Sequence, residues 1–156
     1  MEKSYKKITG WLLLSALVLF ISGCRTAPET RTFMKETEGT RTEMIYTFVG
    51  DKVTEQSTLN TLDYATALGV TTKEEAQAII EPIAAQYQGI KGLTEEIEYG
   101  ETSLIETVHI DYQVVDMKIL ETIPGMTFSG DTSKGISMKQ SEKILIEQGF
   151  TEITEK

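Results

Sequence analysis

Thr42-Glu43-Met44-Ile45-Tyr46-Thr47-Phe48-Val49-Gly50-Asp51-Lys52-Val53 is the stretch that decides the fold. Met44, Tyr46 and Phe48 alternate with Glu43, Ile45 and Thr47, so one strand face carries the larger apolar groups toward a core. Gly50-Asp51 suits a two-residue hairpin loop, with Gly supplying the positive φ of a type II′ turn. The returning strand runs from Val53 to about Leu62, and that loop sets Phe48 opposite Val53 and Tyr46 opposite Glu55. Upstream, Thr32 to Glu38 reads as a further strand, turned by Glu38-Gly39-Thr40 into a strand over Thr42 to Val49.

Downstream the period changes. Thr71 or Thr72 caps a helix, with Glu74 or Glu75 three residues on completing a capping box. Ala76, Ile79, Ile80, Ile83, Ala84 and Tyr87 then form an apolar stripe, and Gly89 closes the helix. Pro82 removes one hydrogen bond within it, so a kink or two short helices is expected. Leu93–Tyr99 and Thr102–Val114 form a second hairpin around Gly100-Glu101. Leu104, Val108, Ile110, Tyr112 and Val114 share its inner face, interrupted by Glu106. Asp116 caps a short helix through Ile123, ended by Pro124-Gly125. Met126 to Gly135 is a loop, Ser137 with Gln140 starts the last helix, and Gly149 stops it. Phe150 to Ile153 adds a short strand or packs. The expectation is an α+β fold: an antiparallel sheet of about five to six strands in two hairpin regions. Two to three helices cover mainly one face.

The N-terminus carries an address. Lys3, Lys6 and Lys7 precede the apolar run Ile8 to Ile21, and Ile21-Ser22-Gly23-Cys24 is a lipobox around the single cysteine. The apolar run spans roughly 21 Å as a helix, short of a hydrocarbon core of about 30 Å. Residues 1–23 are therefore read as a cleaved lipoprotein signal peptide. Residues 24–31 are lipidated Cys24 and a flexible tether reaching roughly 23 Å, and 32–156 form one globular domain. Diacylglyceryl-Cys24 is the expected membrane partner and puts the domain outside the cell, on the bacterial membrane.

Charge narrows the partners. The chain carries a formal net charge of −9, and loss of residues 1–23, with Glu2 and three lysines, makes the remainder more acidic. Such a surface repels phosphate backbones, which excludes nucleic acid. A small ligand, a wall polymer or another envelope protein remains as a partner.

Several separated stretches together resemble a known family. Gly50-Asp51-Lys52-Val53, Thr71-Thr72-Lys73-Glu74-Glu75-Ala76, Glu81-Pro82, Tyr87-Gln88-Gly89-Ile90-Lys91-Gly92-Leu93 and Lys134-Gly135-Ile136-Ser137-Met138 resemble the YehR-like bacterial lipoproteins. The resemblance extends over nearly all of the chain after the lipobox. It implies a small α+β lipoprotein domain and brings no catalytic or ligand-binding residues with it.

Candidate sites therefore rest on the residues themselves. His109 and Asp111 share one face of a strand, as a His–Asp pair for base or metal chemistry would. One histidine without a remaining cysteine leaves a zinc site short of ligands, and a solvated face shared with Thr107 and Gln113 is the plainer reading. A two-residue Gly100-Glu101 loop sets Glu95 opposite Glu106, about 5 Å apart. Burial and mutual repulsion would raise their pKa values, giving a general-acid pair or a cation site. A longer turn would change that register. Asp131 with Ser129, Thr132 and Ser133 offers oxygens to a hard cation but lacks the ligand count of an EF-hand loop. Aromatics such as Phe33, Tyr46, Tyr87 and Phe128 are either core or the lining of a groove. Motifs for a hydrolase elbow, a Walker loop, a zincin or a dinucleotide cofactor are missing, so no cofactor is expected. The reading is a non-catalytic binding module of the envelope. The alternatives are a hydrolase-type enzyme using paired carboxylates, or a structural spacer.

Overall fold

Among the described residues, nine main elements follow one another: β1 (Glu29–Thr37), β2 (Thr40–Val49), β3 (Lys52–Asp63), α1 (Lys73–Ala84), β4 (Leu93–Tyr99), β5 (Ser103–Asp111), α2 (Met117–Leu120), α3 (Met138–Glu147) and β6 (Thr151–Ile153). They are described from a computed structural model covering residues 27–126, 128 and 131–154. Cys24, the signal segment before it and Ser129 lie outside the described residues. The strands make one six-stranded sheet in the order β4-β5-β3-β2-β1-β6, antiparallel at every pairing.

The β2–β3 hairpin turns where expected, with Val49 paired to Lys52 and Gly50 at φ +65°. Phe48 does face Val53, but a bulge between Thr47 and Phe48 shifts the ladder by one residue, so Tyr46 faces Gln56 and Thr47 faces Glu55. The bulge leaves Tyr46, Phe48 and Val53 all buried, because the extra residue returns Val53 to the covered face. β1 starts three residues before the expected Thr32. Arg31 accordingly belongs to the sheet, where it pairs with Tyr46.

All three helices lie over the same sheet face. Met138 and Leu145 of α3 pack with Phe33, Tyr46, Phe48 and Val53. Leu120 of α2 joins Leu93, Val108 and Ile110. Ala76 of α1 packs with Tyr64 and Leu104. On the opposite face, Thr32, Ile45, Ser57, His109 and their neighbours are at most partly buried. That alternation is what an antiparallel sheet with one wet face requires.

α1 begins with the expected capping box, in which the Glu75 N–H donates to Thr72 Oγ1 (3.3 Å) and the Thr72 N–H donates back to Glu75 Oε2 (3.2 Å). Pro82 sits inside its last turn, and Ala85–Tyr87 tighten into a separate short helical turn. The apolar stripe is narrower than its sequence pattern. Ala76 and Tyr87 are buried, whereas Ile79 and Ile83 are 41% and 43% exposed. α1 rests on the sheet through one ridge only, and the two isoleucines flank that ridge on the solvent side.

The second hairpin departs further from expectation. Its ladder ends at Tyr99–Leu104, the Gly100 N–H donates to the Ser103 carbonyl (2.8 Å), and three residues, Gly100 to Thr102, separate the strands instead of two. β5 ends at Asp111, so Val115 is buried while Val114 is 43% exposed. α2 closes after one turn, at Leu120, short of Ile123.

α3 is held at its start by the β2–β3 hairpin tip. The Ser137 hydroxyl and the Lys139 N–H both donate to the Asp51 carboxylate (2.8 and 2.9 Å), and the Met138 N–H donates to the Asp51 carbonyl (2.8 Å). Those N–H groups are the unpaired donors of a helix start, and an aspartate there answers both them and the dipole. Toward the β6 edge of the sheet's covered face, Arg31 forks between Glu142 of α3 and Glu152 of β6, with four contacts of 2.6–2.7 Å.

Candidate functional site

The centre of the covered face is polar where a core would be apolar. Gln56, Thr58 and Asn60 of β3 point toward the helices, in register with Tyr46, Met44 and Thr42 on one side and with Ile110, Val108 and Glu106 on the other. Because these side chains separate the apolar clusters beneath α3 and beneath α2, the core divides. A cavity of about 350 Å³ lies over the division, at the lower end of the size range of small-molecule sites.

Its floor is the row Gln56, Thr58, Asn60 and Glu106. The walls are thioether, aliphatic and aromatic: Met44, Val108, Met126, Tyr46, Tyr87 and Phe128. Ser141 and Ile144 of α3 and Asp131 of the preceding loop complete the rim.

Hydrogen bonds order the floor. The Thr42 hydroxyl donates to Asn60 Oδ1 (2.8 Å), and Asn60 Nδ2 donates to Glu106 Oε2 (2.7 Å). The Tyr112 hydroxyl donates to Gln56 Oε1 (2.7 Å), whose amide N–H donates to Thr58 Oγ1 (3.2 Å). Burial pushes the Tyr46 phenol up to about 12 and raises Tyr112 as well, so both hydroxyls are neutral donors at physiological pH.

Glu95 stands behind this floor rather than in it. It pairs with Val108, and Glu106 pairs with Ile97. The expected direct opposition of Glu95 and Glu106 is therefore corrected: the turn falls later than Gly100-Glu101 and the register shifts by two. Side-chain alternation has a period of two, so the shift leaves both carboxyls on the covered face as diagonal neighbours. Burial first, then a hydrogen bond shared with Glu106, then the Glu106 charge, push Glu95 up to about 7. The Gln88 amide, donating to Glu95 Oε2 at 3.3 Å, works in the opposite direction. Glu95 Oε1 has no partner as an ionised oxygen. A proton on Glu95 supplies the missing donor, toward Glu106.

The remaining sequence candidates do not converge. His109 is on the wet face with Nδ1 3.0 Å from Ser57 Oγ, and the Asp111 carboxylate instead accepts from the Gln113 N–H (2.8 Å). Asp131 caps the Thr132–Lys134 turn and accepts from the Ser133 N–H (3.0 Å); the Ser133 hydroxyl first, and then this N–H, hold its carboxyl below the usual range. Among the described residues, no group of three or more His, Cys, Asp or Glu is placed to hold a metal ion. The cavity itself escaped the sequence reading. Its signal was present in β3, where Gln56, Thr58 and Asn60 occupy alternate positions and no large apolar side chain shares their face between Val53 and Leu62.

Fold and cavity define a class: a small α+β domain with one covered sheet face and a hollow in its centre. Comparison with known proteins makes this specific. Residues 29–151 match the family described as "Protein of unknown function (DUF1307)", and the chain belongs to that family of YehR-like lipoproteins. It is 40% identical to the uncharacterized lipoprotein Lmo0207 of Listeria monocytogenes, over 97% of this chain and 99% of that one. It is 36% identical to the uncharacterized lipoprotein YehR of Escherichia coli, over 97% and 99%. The NMR structure of YehR superposes with a TM-score of 0.74, covering 84% of this chain and 94% of that chain. An NMR structure of a Streptococcus pneumoniae protein, at 18% identity and a TM-score of 0.58, shares the fold.

Proposed function

We propose that the protein is a lipid-anchored, non-catalytic binding module of the bacterial envelope, with the cavity over β3 and β5 as its ligand site. The observation that carries the reading is the cavity itself, with polar side chains on its floor and apolar ones on its walls. That is the usual build of a small-molecule site, where a few polar groups orient a ligand that apolar contacts retain.

Support for the anchor comes from the lipobox at Cys24 and from relatives named as lipoproteins. Among the described residues no helix is long and apolar enough to cross a membrane. With β1 starting at Glu29, a tether from Cys24 holds the domain within about 18 Å of the bilayer surface. An enzyme using Glu95 and Glu106 draws less support. Glu95 is absent from the cavity lining, whereas Glu106 belongs to it, so the two carboxyls do not face the cavity as a pair.

The test is co-purification from native membranes. A small molecule should accompany the wild-type chain, leave on denaturation unaltered, and be missing from Ser141→Trp, whose indole fills the cavity from the α3 side. Its equal presence on both chains would move the site elsewhere, and its recovery in chemically changed form would mark an enzyme. In parallel, Cys24→Ser should release the protein from the membrane fraction.

A further inference from the structure

The floor of the cavity holds a carboxylate that faces no cation. Glu106 takes part in none of the ion pairs among the described residues, and the cavity lining contains no Lys, Arg or His. Asp131 adds a second carboxylate at the rim. The Glu106 carboxyl receives the Asn60 amide N–H (2.7 Å) and the proton shared with Glu95, both neutral donors, and no positive group of the cavity lining stands beside it.

Donors and acceptors on the floor are partly matched to one another. One N–H of Asn60 is already given to Glu106 and one of Gln56 to Thr58, and the Tyr112 hydroxyl is given to Gln56. The orientation of Asn60 is set by the Thr42 hydroxyl on its oxygen, which keeps its amide nitrogen toward Glu106. The second N–H of each amide and the Thr58 hydroxyl remain as donors, while the open acceptor capacity is centred on the Glu106 oxygens, which carry the floor's charge. A ligand that satisfies it must bring N–H or O–H donors.

The walls add two further requirements. Tyr87 and Phe128 present aromatic surface, which attracts cations through the ring quadrupole, and Met44, Val108, Met126 and Ile144 require apolar bulk. An anion would meet two carboxylates and no compensating charge. A bare metal ion would leave the apolar walls unfilled.

We propose that the cavity takes a small organic amine, its ammonium group held on Glu106 and its apolar body against Met44, Val108 and Met126. The assignment rests on the cavity being the ligand site, and it names the ligand's chemistry. Asn60 acts as a positioning residue, orienting Glu106 without needing to touch the ligand.

The experiment uses three probes of one shape and different charge: cyclohexylamine, cyclohexanol and cyclohexanecarboxylate. The full-length chain, solubilised in detergent and labelled at its methionine methyl groups, reports binding by NMR. Met44 and Met126 line the cavity, whereas Met34 lies on the opposite sheet face and controls for partition into the micelle. The amine should shift Met44 and Met126 saturably and leave Met34 in place, the alcohol should bind about tenfold more weakly, and the carboxylate should not bind. Glu106→Gln should bring the amine down to the affinity of the alcohol.

Equal binding of amine and alcohol, or an amine affinity unchanged in Glu106→Gln, would overturn the assignment while leaving the cavity a ligand site. So would calcium chloride alone producing the same shifts and displacing the amine, which would point to an inorganic cation. No shift at Met44 and Met126 with any probe would also overturn it, and the co-purification experiment then decides separately whether the cavity binds anything. Should Glu106→Gln lose the wild-type Met34 and Met138 signals, and with them its fold, the charge series on the wild-type chain decides by itself.

Discussion

Glu95 and Glu106 share one face of the β4–β5 ladder as diagonal neighbours, Glu95 paired to Val108 and Glu106 to Ile97. Burial and the adjoining carboxyl raise Glu95 to about 7, so the folded chain binds this proton more readily than the unfolded chain does. Stability is therefore lost as pH rises through about 7 and recovered as pH falls toward the ordinary carboxylate range. Glu95→Gln keeps the shape and carries a permanent amide donor toward Glu106. It should stabilise the domain at pH 8 by on the order of 1 kcal/mol, after discounting for solvent screening, and leave it unchanged near pH 4.5. Urea unfolding at both pH values reads the difference, and an identical effect at the two would detach the gain from this proton.

Neighbouring isoleucines on α1 should respond unequally to charge. Ile80 is partly buried against Tyr64, Ala76 and Leu104, so Ile80→Asp should cost about 1–3 kcal/mol, since it sets an unpaired charge against that cluster. Ile83 is 43% exposed, and Ile83→Asp should stay within about 0.5 kcal/mol of wild type. Thermal melts of the two variants test which ridge of the helix meets the sheet.

Arg31 ties α3 and β6 to β1 through a fork that lysine cannot reproduce. Arg31→Lys should lower hydrogen-exchange protection at Thr151–Ile153 while leaving the β4–β5 amides protected. Hydrogen bonds from Arg31 hold the Glu142 and Glu152 carboxyls below their ordinary range. Their contribution is complete above that range and lost as pH falls through the lowered values. Wild-type protection at β6 should accordingly decline in acid, and Arg31→Lys should flatten that decline.

Two glycines with positive φ should differ in their tolerance of a methyl group. At Gly92, φ is +81° and an added Cβ would sit 2.8 Å from the Val115 nitrogen and 3.1 Å from the Asp111 carbonyl. At Gly50, φ is +65° with nothing within 4 Å. Gly50→Ala should cost about 1–2 kcal/mol, the left-handed backbone penalty alone, and Gly92→Ala markedly more, because backbone on both sides cannot give way. Comparable midpoints in denaturant would mean the loop after α1 relaxes freely.

Local chemistry was legible wherever it acts within a few residues. The Gly50-Asp51 turn, the Thr72–Glu75 capping box, the Asp116 and Ser137 caps, the Gly149 stop and the alternation of Met44, Tyr46 and Phe48 all came from spacing, since turns and caps are satisfied by their near neighbours. The same spacing was enough for an α+β class with helices on one face. Tertiary structure decided what depends on distant partners. The bulge after Thr47 exists because Phe48 and Val53 must both reach the core. The loop from Gly100 to Thr102 sets a register that alternation alone leaves open by steps of two. Which of Ile79, Ile80 and Ile83 is covered depends on the angle at which α1 meets the sheet. The cavity needs strands β2, β3 and β5 side by side, with Glu106 brought next to Asn60 from 46 positions away. No local preference encodes that neighbour, because a polar residue on a strand looks the same from its sequence whether it faces water or a hollow in the core.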